Sequence, residues 1–434
     1  MTTVQSSIDA VSEVTEWLQE NWDPDLTVGQ WWERLGTSGW SSPSLPRSCF
    51  GRDLSRSESV QVQQAIADFG ALGAPGGLGL LLAAPTIATH GTPEQHERYI
   101  RPIVTGAQAW CQLFSEPGAG SDLAGLQTKA ERDGEEWVIT GQKVWTSGGK
   151  VADMGMLLAR TNPDAPKHQG ITYFAFDMHQ EGVEVRPLRE MTGRALFNEV
   201  FLNEARVSDA AIIGGANNGW AVANTTLAFE RAGLGAGGGS AAGSSATPGS
   251  IAGDLGKRVG DLVRTRPRGG AGGPGGLAGT TALLFGLARQ MGVASDPLVR
   301  QDLVKLHTMT EIGRYMTLRQ KALRQSGGDI PGLGNIAKLS MSRILRLSRD
   351  LGLQLLGPRA LLHSYDAAGT EALGDLPSGP LGASVTEMAL FAQAPQIYGG
   401  TDEIQHNILG ERVLGLPKEP NQDKVTPFRD LPRN

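Results

Sequence analysis

Apolar positions recur at helical spacing over residues 8–22 and 57–69 and predict two amphipathic helices there. Thr92-Pro93 supplies a cap and a first-turn proline, and predicts a further helix over 94–104. From Trp110 to about Val207 the period changes to two. Segments 128–131 and 136–140 flank Asp133-Gly134, a strong hairpin signal, and 154–159, 171–176, 183–185 and 199–202 read as further strands. After Asn217-Asn218-Gly219 the helical spacing returns over 220–234. Residues 235–279 are crowded with Gly, Ser and Pro and read as flexible loop, with room for a short helix in 251–263. Helices resume near Thr281 and run to Leu356, where Gly357-Pro358 stops them. Residues 366–384 read as loop, and a last helix covers about 401–414. The expectation is an α+β chain in three parts. These are an N-terminal all-α domain (1–108), a middle antiparallel β domain (109–217) and a C-terminal α-helical bundle (218–434) with a Gly-rich insertion at 235–279.

Composition narrows the function. A net charge of −6 over 434 residues offers no basic surface for nucleic acid. Two cysteines, Cys49 and Cys111, make no disulfide framework, and the seven histidines show no metal-ligand spacing, so no metal is expected. Asp9, Glu13 and Glu16 leave the first residues without a signal-peptide start, and the apolar stretch 70–84 is too short and broken to span a bilayer. A cytoplasmic protein is the expectation. Gly233-Leu234-Gly235-Ala236-Gly237-Gly238 satisfies GxGxxG but follows a helix rather than a strand, so it is no dinucleotide fingerprint.

Two motifs carry the chemistry. Ser115-Glu116-Pro117-Gly118-Ala119-Gly120-Ser121-Asp122 places hydroxyls and Gly-flanked amides in a polar turn after a strand, suited to a polar ligand edge. Gln396-Ile397-Tyr398-Gly399-Gly400-Thr401-Asp402-Glu403-Ile404-Gln405 lies near the C-terminal end. With His90-Gly91-Thr92-Pro93-Glu94-Gln95 and residues 407–417, they closely resemble the acyl-CoA dehydrogenase family over roughly residues 65–418.

The resemblance implies FAD as cofactor and an acyl-CoA substrate oxidised to the 2-enoyl-CoA. It also implies an electron-transfer flavoprotein as electron acceptor and a homo- or hetero-oligomer, dimer or tetramer. Phe114 and Ser115 would meet the flavin ring, Ser121 the flavin and the CoA thioester side, and Trp145, Thr146 and Ser147 one face of the isoalloxazine. Arg289 would reach a neighbouring subunit's FAD pyrophosphate, although Gly292 stands where members often have an aromatic. Gln354 and Gly357 would hold the adenylate side across a dimer, and Thr401 and Glu403 would sit by the same cofactor. Each has a plainer alternative: a Gly-rich loop for 115–122, a core indole for Trp145, a solvated Arg289 and a helix-end amide for Gln354.

Removing a thioester α-proton needs a carboxylate in a dry pocket, and donors aimed at the thioester oxygen. In many members that base is a glutamate at the position of Gly399; glycine keeps only the N–H, the expected oxyanion donor. Glu230-Arg231 matches the site where isovaleryl-CoA and long-chain enzymes carry the base, with Arg231 turned to packing or CoA. The plainer alternative is a surface Glu–Arg pair. Glycine at 399 leaves room for a branched or bulky, even steroid-like, acyl group. Two competing functions share the fold: a non-catalytic half-site subunit of a hetero-oligomer, and a flavin oxidase or monooxygenase.

Overall fold

The computed structural model describes residues 2–235, 245–264, 277–325, 328 and 330–432. The first part is helical: α1 (Thr2–Asn21), α2 (Val28–Thr37), α3 (Arg56–Phe69), α4 (Ala84–His90), α5 (Pro93–Gln95) and α6 (Arg101–Val104). Thr27 with Gln30, Ser55 with Glu58 and Thr92 with Gln95 form reciprocal capping boxes that start α2, α3 and α5. A π-helical turn, His96–Ile100, joins α5 to α6, so the helix predicted after Pro93 runs unbroken to Val104. Trp31 and Trp32 are fully buried, and their indole N–H groups donate to the carbonyls of Leu72 (2.7 Å) and Gly73 (2.9 Å). Two large side chains thereby enter the core without stranding a polar atom.

The middle part is a sheet of β1 (Trp110–Leu113), β2 (Lys129–Asp133), β3 (Glu136–Ser147), β4 (Met154–Arg160), β5 (Ile171–Asp177), β6 (Val183–Leu188), β7 (Phe197–Ser208) and β8 (Ile212–Ile213). The order is β6-β7-β3-β2-β4-β5-β8, with β1 on β4. One correction follows: the sheet is mixed, because β1 runs parallel to β4, as does the single β2–β4 pair Lys129–Arg160. A parallel neighbour cannot follow through a tight hairpin, and here the whole 114–153 excursion intervenes. β4 and β5 are buried along nearly their whole length, so apolar clusters cover both faces.

The third part comprises α7 (Gly219–Gly235), α8 (Val259–Arg264), α9 (Leu277–Gln290), α10 (Pro297–Gln325), α11 (Leu333–Leu356), α12 (Ala367–Gly374), α13 (Gly379–Phe391) and α14 (Asp402–Ile408). α9, α10, α11 and α13 share one core around Leu284, Leu306, Ile344, Leu355 and Val385. The expected loop 366–384 is instead largely helix. The Asp366 carboxylate caps α12 at the Gly369 N–H (2.7 Å), and Pro380 occupies the first turn of α13, where a missing N–H costs nothing.

The insertion also departs from expectation. Residues 236–244 and 265–276 lie outside the described residues, and with them half of the rejected GxGxxG. Residues 245–264 between them are docked rather than loose. Val28 N–H donates to Lys257 O (2.8 Å) and Val259 N–H to Leu26 O (3.0 Å), while Ala246 and Val259 enter the N-terminal core. The short helix is Val259–Arg264, at the far edge of the predicted window. Among the described residues no helix is long and apolar enough to cross a membrane, and no group of three potential ligands could hold a metal ion.

Candidate active site

The 115–122 turn is held from beneath by a buried ion pair. Glu116 accepts from Lys143 Nζ (2.8 Å) and from the N–H groups of Gln127 (2.6 Å) and Thr128 (2.9 Å), while Lys143 also donates to Phe114 O (3.1 Å). Burial pushes the Glu116 carboxyl up, and Lys143 with the other donors more than offsets this, leaving it below the usual carboxylate range. Val144 N–H donates to Ser115 O (2.9 Å), which sets the turn beside Trp145. The Phe114 ring faces inward, packed against Tyr173 in the core, so only its main chain borders the turn surface. Ser115 is half-buried and Ser121 exposed.

Trp145 is not a core indole. It is 58% exposed, stands at a positive φ of 61° where β3 slips register against β7, and meets the Phe197 ring edge-on at 5.9 Å. A non-glycine residue in that conformation costs energy and marks a constrained site. The adjacent Ser147 is likewise exposed.

Glu230, near the end of α7, is half-buried, and burial pushes its carboxyl up against the opposing pull of Gln112 and Arg231. Gln112 lies on β1, which leads directly into the 115–122 turn. Its neighbours Cys111 and Leu113 enter one apolar cluster, so strand alternation turns Gln112 to the opposite face, toward the cluster that contains Val222 and Ala223 of α7. Arg231 is exposed and feels Arg412 of the π-helical turn Leu409–Val413.

Gly399 and Gly400 both sit at positive φ, 62° and 81°. Gln405 holds this bend by donating to their carbonyls (2.9 and 3.3 Å) and accepting from Asn335 of α11 (2.6 Å). A Cβ at Gly400 would stand 2.7 Å from that same Gln405 amide. Thr401 caps α14 at Ile404 N–H (3.1 Å), and the buried Asp402 pairs with Lys338 (2.9 Å), leaving Glu403 exposed. The Gly399 N–H donates to no described residue. It is a fixed donor available to a ligand oxygen.

Glu230, Gln112, the 115–122 turn and Trp145 are thus brought together through β1 and β3. Arg289, Gln354 and Gly357 are not. Each is exposed on the C-terminal bundle. Gln354 lies nineteen residues along α11 from Asn335, roughly 28 Å of helix. Gln112, Lys143 and Asn335 escaped the sequence reading, and Gln405 entered it only as the last residue of the 396–405 motif, with no role given. A glutamine inside the apolar run Trp110–Phe114 was the one visible signal.

Helical first and third parts flank a β part that carries an exposed indole with a serine beside it, and α7 carries a half-buried carboxyl, the layout of a flavoprotein dehydrogenase. Family models agree. The acyl-CoA dehydrogenase N-terminal, middle and C-terminal domains match residues 4–107, 111–204 and 280–414. The chain is 33% identical to acyl-CoA dehydrogenase IpdE1 of Mycobacterium tuberculosis (strain ATCC 25618 / H37Rv) over 90% of its own length and 88% of that protein's. It is 36% identical to acyl-CoA dehydrogenase FadE34 of the same organism, over 88% of this chain and 46% of that one. Among solved structures, the Tcur3481-Tcur3483 steroid ACAD shares the fold at a TM-score of 0.64 and 24% identity, over 96% of this chain and 98% of that one. The chain belongs to the acyl-CoA dehydrogenase family, oxidoreductases acting on CH–CH bonds, and membership implies FAD. The residues present fit that cofactor. Trp145 offers a flat exposed wall at a strained strand end, with hydroxyls at its edge and a polar turn beside it.

Proposed function

We propose that this chain dehydrogenates a branched or bulky acyl-CoA thioester, with Glu230 as the base. FAD, when bound, supplies the acceptor for the hydride leaving Cβ. The carboxylate of Glu230 takes the α-proton, while burial keeps it basic enough to do so and Gln112 keeps it oriented. The free N–H of Gly399 stabilises charge developing on the thioester oxygen. Ser115, Trp145 and Ser147 shield one ring face of the cofactor, Ser121 contacts the CoA side, and Arg231 faces CoA or packing. Thr401 and Glu403 border the cofactor from the other side. The missing side chain at 399 leaves the space that a branched acyl group would fill. Electrons leave to an electron-transfer flavoprotein.

The separation of Gln354 from the Gly399 bend supports an oligomer in which Arg289, Gln354 and Gly357 serve a neighbouring copy's cofactor. The single observation that carries the proposal is the raised, half-buried carboxyl of Glu230 against Gln112, on the strand that leads into the 115–122 turn. Anaerobic flavin bleaching with straight, branched and steroid-like acyl-CoAs tests it. Bleaching is expected in wild type and absent in Glu230→Gln. Bleaching retained in the variant refutes the assignment, and no flavin in wild type favours the half-site subunit.

A further inference from the structure

Residues beyond 414 lie outside the matched family domains, yet 423–431 are docked against the β part. Phe428 N–H donates to Ala165 O (3.0 Å) and Arg429 N–H to Pro163 O (3.1 Å), Pro427 bridges to Pro166, and Arg429 pairs with Asp164. The Phe428 ring lies 3.6 Å from the Arg160 guanidinium. That buried guanidinium in turn donates to Lys167 O (2.6 Å) and to Ala124 O (2.6 Å), just beyond the 115–122 turn. At the centre, Lys167 Nζ stands 2.9 Å from Asp122 and 2.9 Å from Asp423, with its side chain only 10% exposed. The loop 161–170 that carries Lys167 also touches the start of α7, where His168 packs edge-on to Trp220 at 4.8 Å.

One ammonium shared by two carboxylates costs little while both remain. Removing it leaves two partly exposed negative charges facing each other. Asp122 immediately follows Ser121, so whatever holds Asp122 restrains the backbone that carries the exposed Ser121 hydroxyl.

We propose that Lys167 is a positioning residue that clamps the Ser121–Asp122 turn to a strap formed by residues 423–431, and that this clamp sets the affinity for CoA. The second half rests on the reading of Ser121 as a CoA-side contact.

The test measures deuterium uptake over residues 118–126 and free CoA binding by calorimetry. The proteins are wild type, Lys167→Met, Lys167→Arg, Asp423→Asn and a chain lacking 419–434. Lys167→Met should raise uptake in the turn and weaken CoA binding about tenfold, the loss expected for one charge-assisted hydrogen bond. Lys167→Arg should restore both. Asp423→Asn and the shortened chain should move the same two readouts in the same direction. Unchanged uptake in Lys167→Met overturns the clamp. Raised uptake with unchanged CoA affinity overturns the link to substrate while leaving the clamp. Wild type that fails to bind CoA overturns the thioester reading itself, which the exchange measurement does not require.

Discussion

Lys143 is fully buried, and its ammonium has two partners, Glu116 Oε1 and Phe114 O. Lys143→Met fills the same volume with an apolar chain and strands the Glu116 carboxylate. Breaking a buried pair from one side costs about 3–5 kcal/mol. Glu116 keeps the N–H groups of Gln127 and Thr128, so the low end applies, about 3 kcal/mol. Urea unfolding at one fixed protein concentration measures this cost. The double variant Lys143→Met/Glu116→Gln removes the stranded charge and should recover about half of the loss. Acid gives an independent check. In wild type the depressed carboxyl contributes stability that is present above the usual carboxylate range and lost as pH falls through its lowered value. In Lys143→Met the same carboxyl can take a proton, so the variant's deficit should shrink on acidification. A deficit below about 1 kcal/mol at neutral pH, or a double variant worse than the single, would refute the account of the turn as ion-pair-locked.

Glu230→Gln should lower turnover by at least about 10²–10⁴-fold, read by bleaching rate. It should also raise stability at neutral pH, because a carboxyl whose folded value is raised contributes stability below the usual carboxylate range and loses it as pH rises. Gln112→Leu removes a group that favours the charged carboxylate, so the acid limb of the kcat/KM profile should move to higher pH with maximal turnover kept. Trp145→Ala should lower bound flavin per chain, read by absorbance after gel filtration, with little change in unfolding because the indole is exposed. Glu230→Gln mixed with Arg289→Ala/Gln354→Ala should regain activity if those residues serve a neighbour's cofactor, since one site in each mixed pair is then complete.

The fold was legible where local signals agreed with tertiary context. The Thr92-Pro93 start, the Asp133-Gly134 hairpin and the helix over 220–234 all carry turn or cap chemistry that acts within a few residues. Errors arose where glycine and proline were taken as loop by composition. Pro380 sits inside a first helical turn, and the Gly249 amide at φ 106° donates to Gly106 O (2.9 Å), a docking contact that only glycine's backbone freedom allows. The parallel β1–β4 pairing has no local signature at all. Of the candidate site, the residues proposed to meet ligand came from motifs, while Lys143, Asn335 and Lys167 act through partners 27, 70 and 45 positions away. No spacing along the chain reveals such pairs.

That division has a physical origin. The groups expected to touch ligand are short, exposed and borne on glycine-rich bends, which have little intrinsic rigidity. Each bend is therefore fixed by a long polar side chain from another element: Lys143 under 115–122, Gln405 across Gly399-Gly400, Lys167 against Asp122. Each holding group is itself paired, by Glu116, by Asn335 and by Asp423, so no charge or amide is buried for this purpose without compensation. Glu230 differs, since Gln112 and Arg231 reduce the rise in its carboxyl but do not cancel it. A carboxyl left in that state among bends so fully paired is a cost to the fold, and it is the state that the proposed role as base for a weak carbon acid needs.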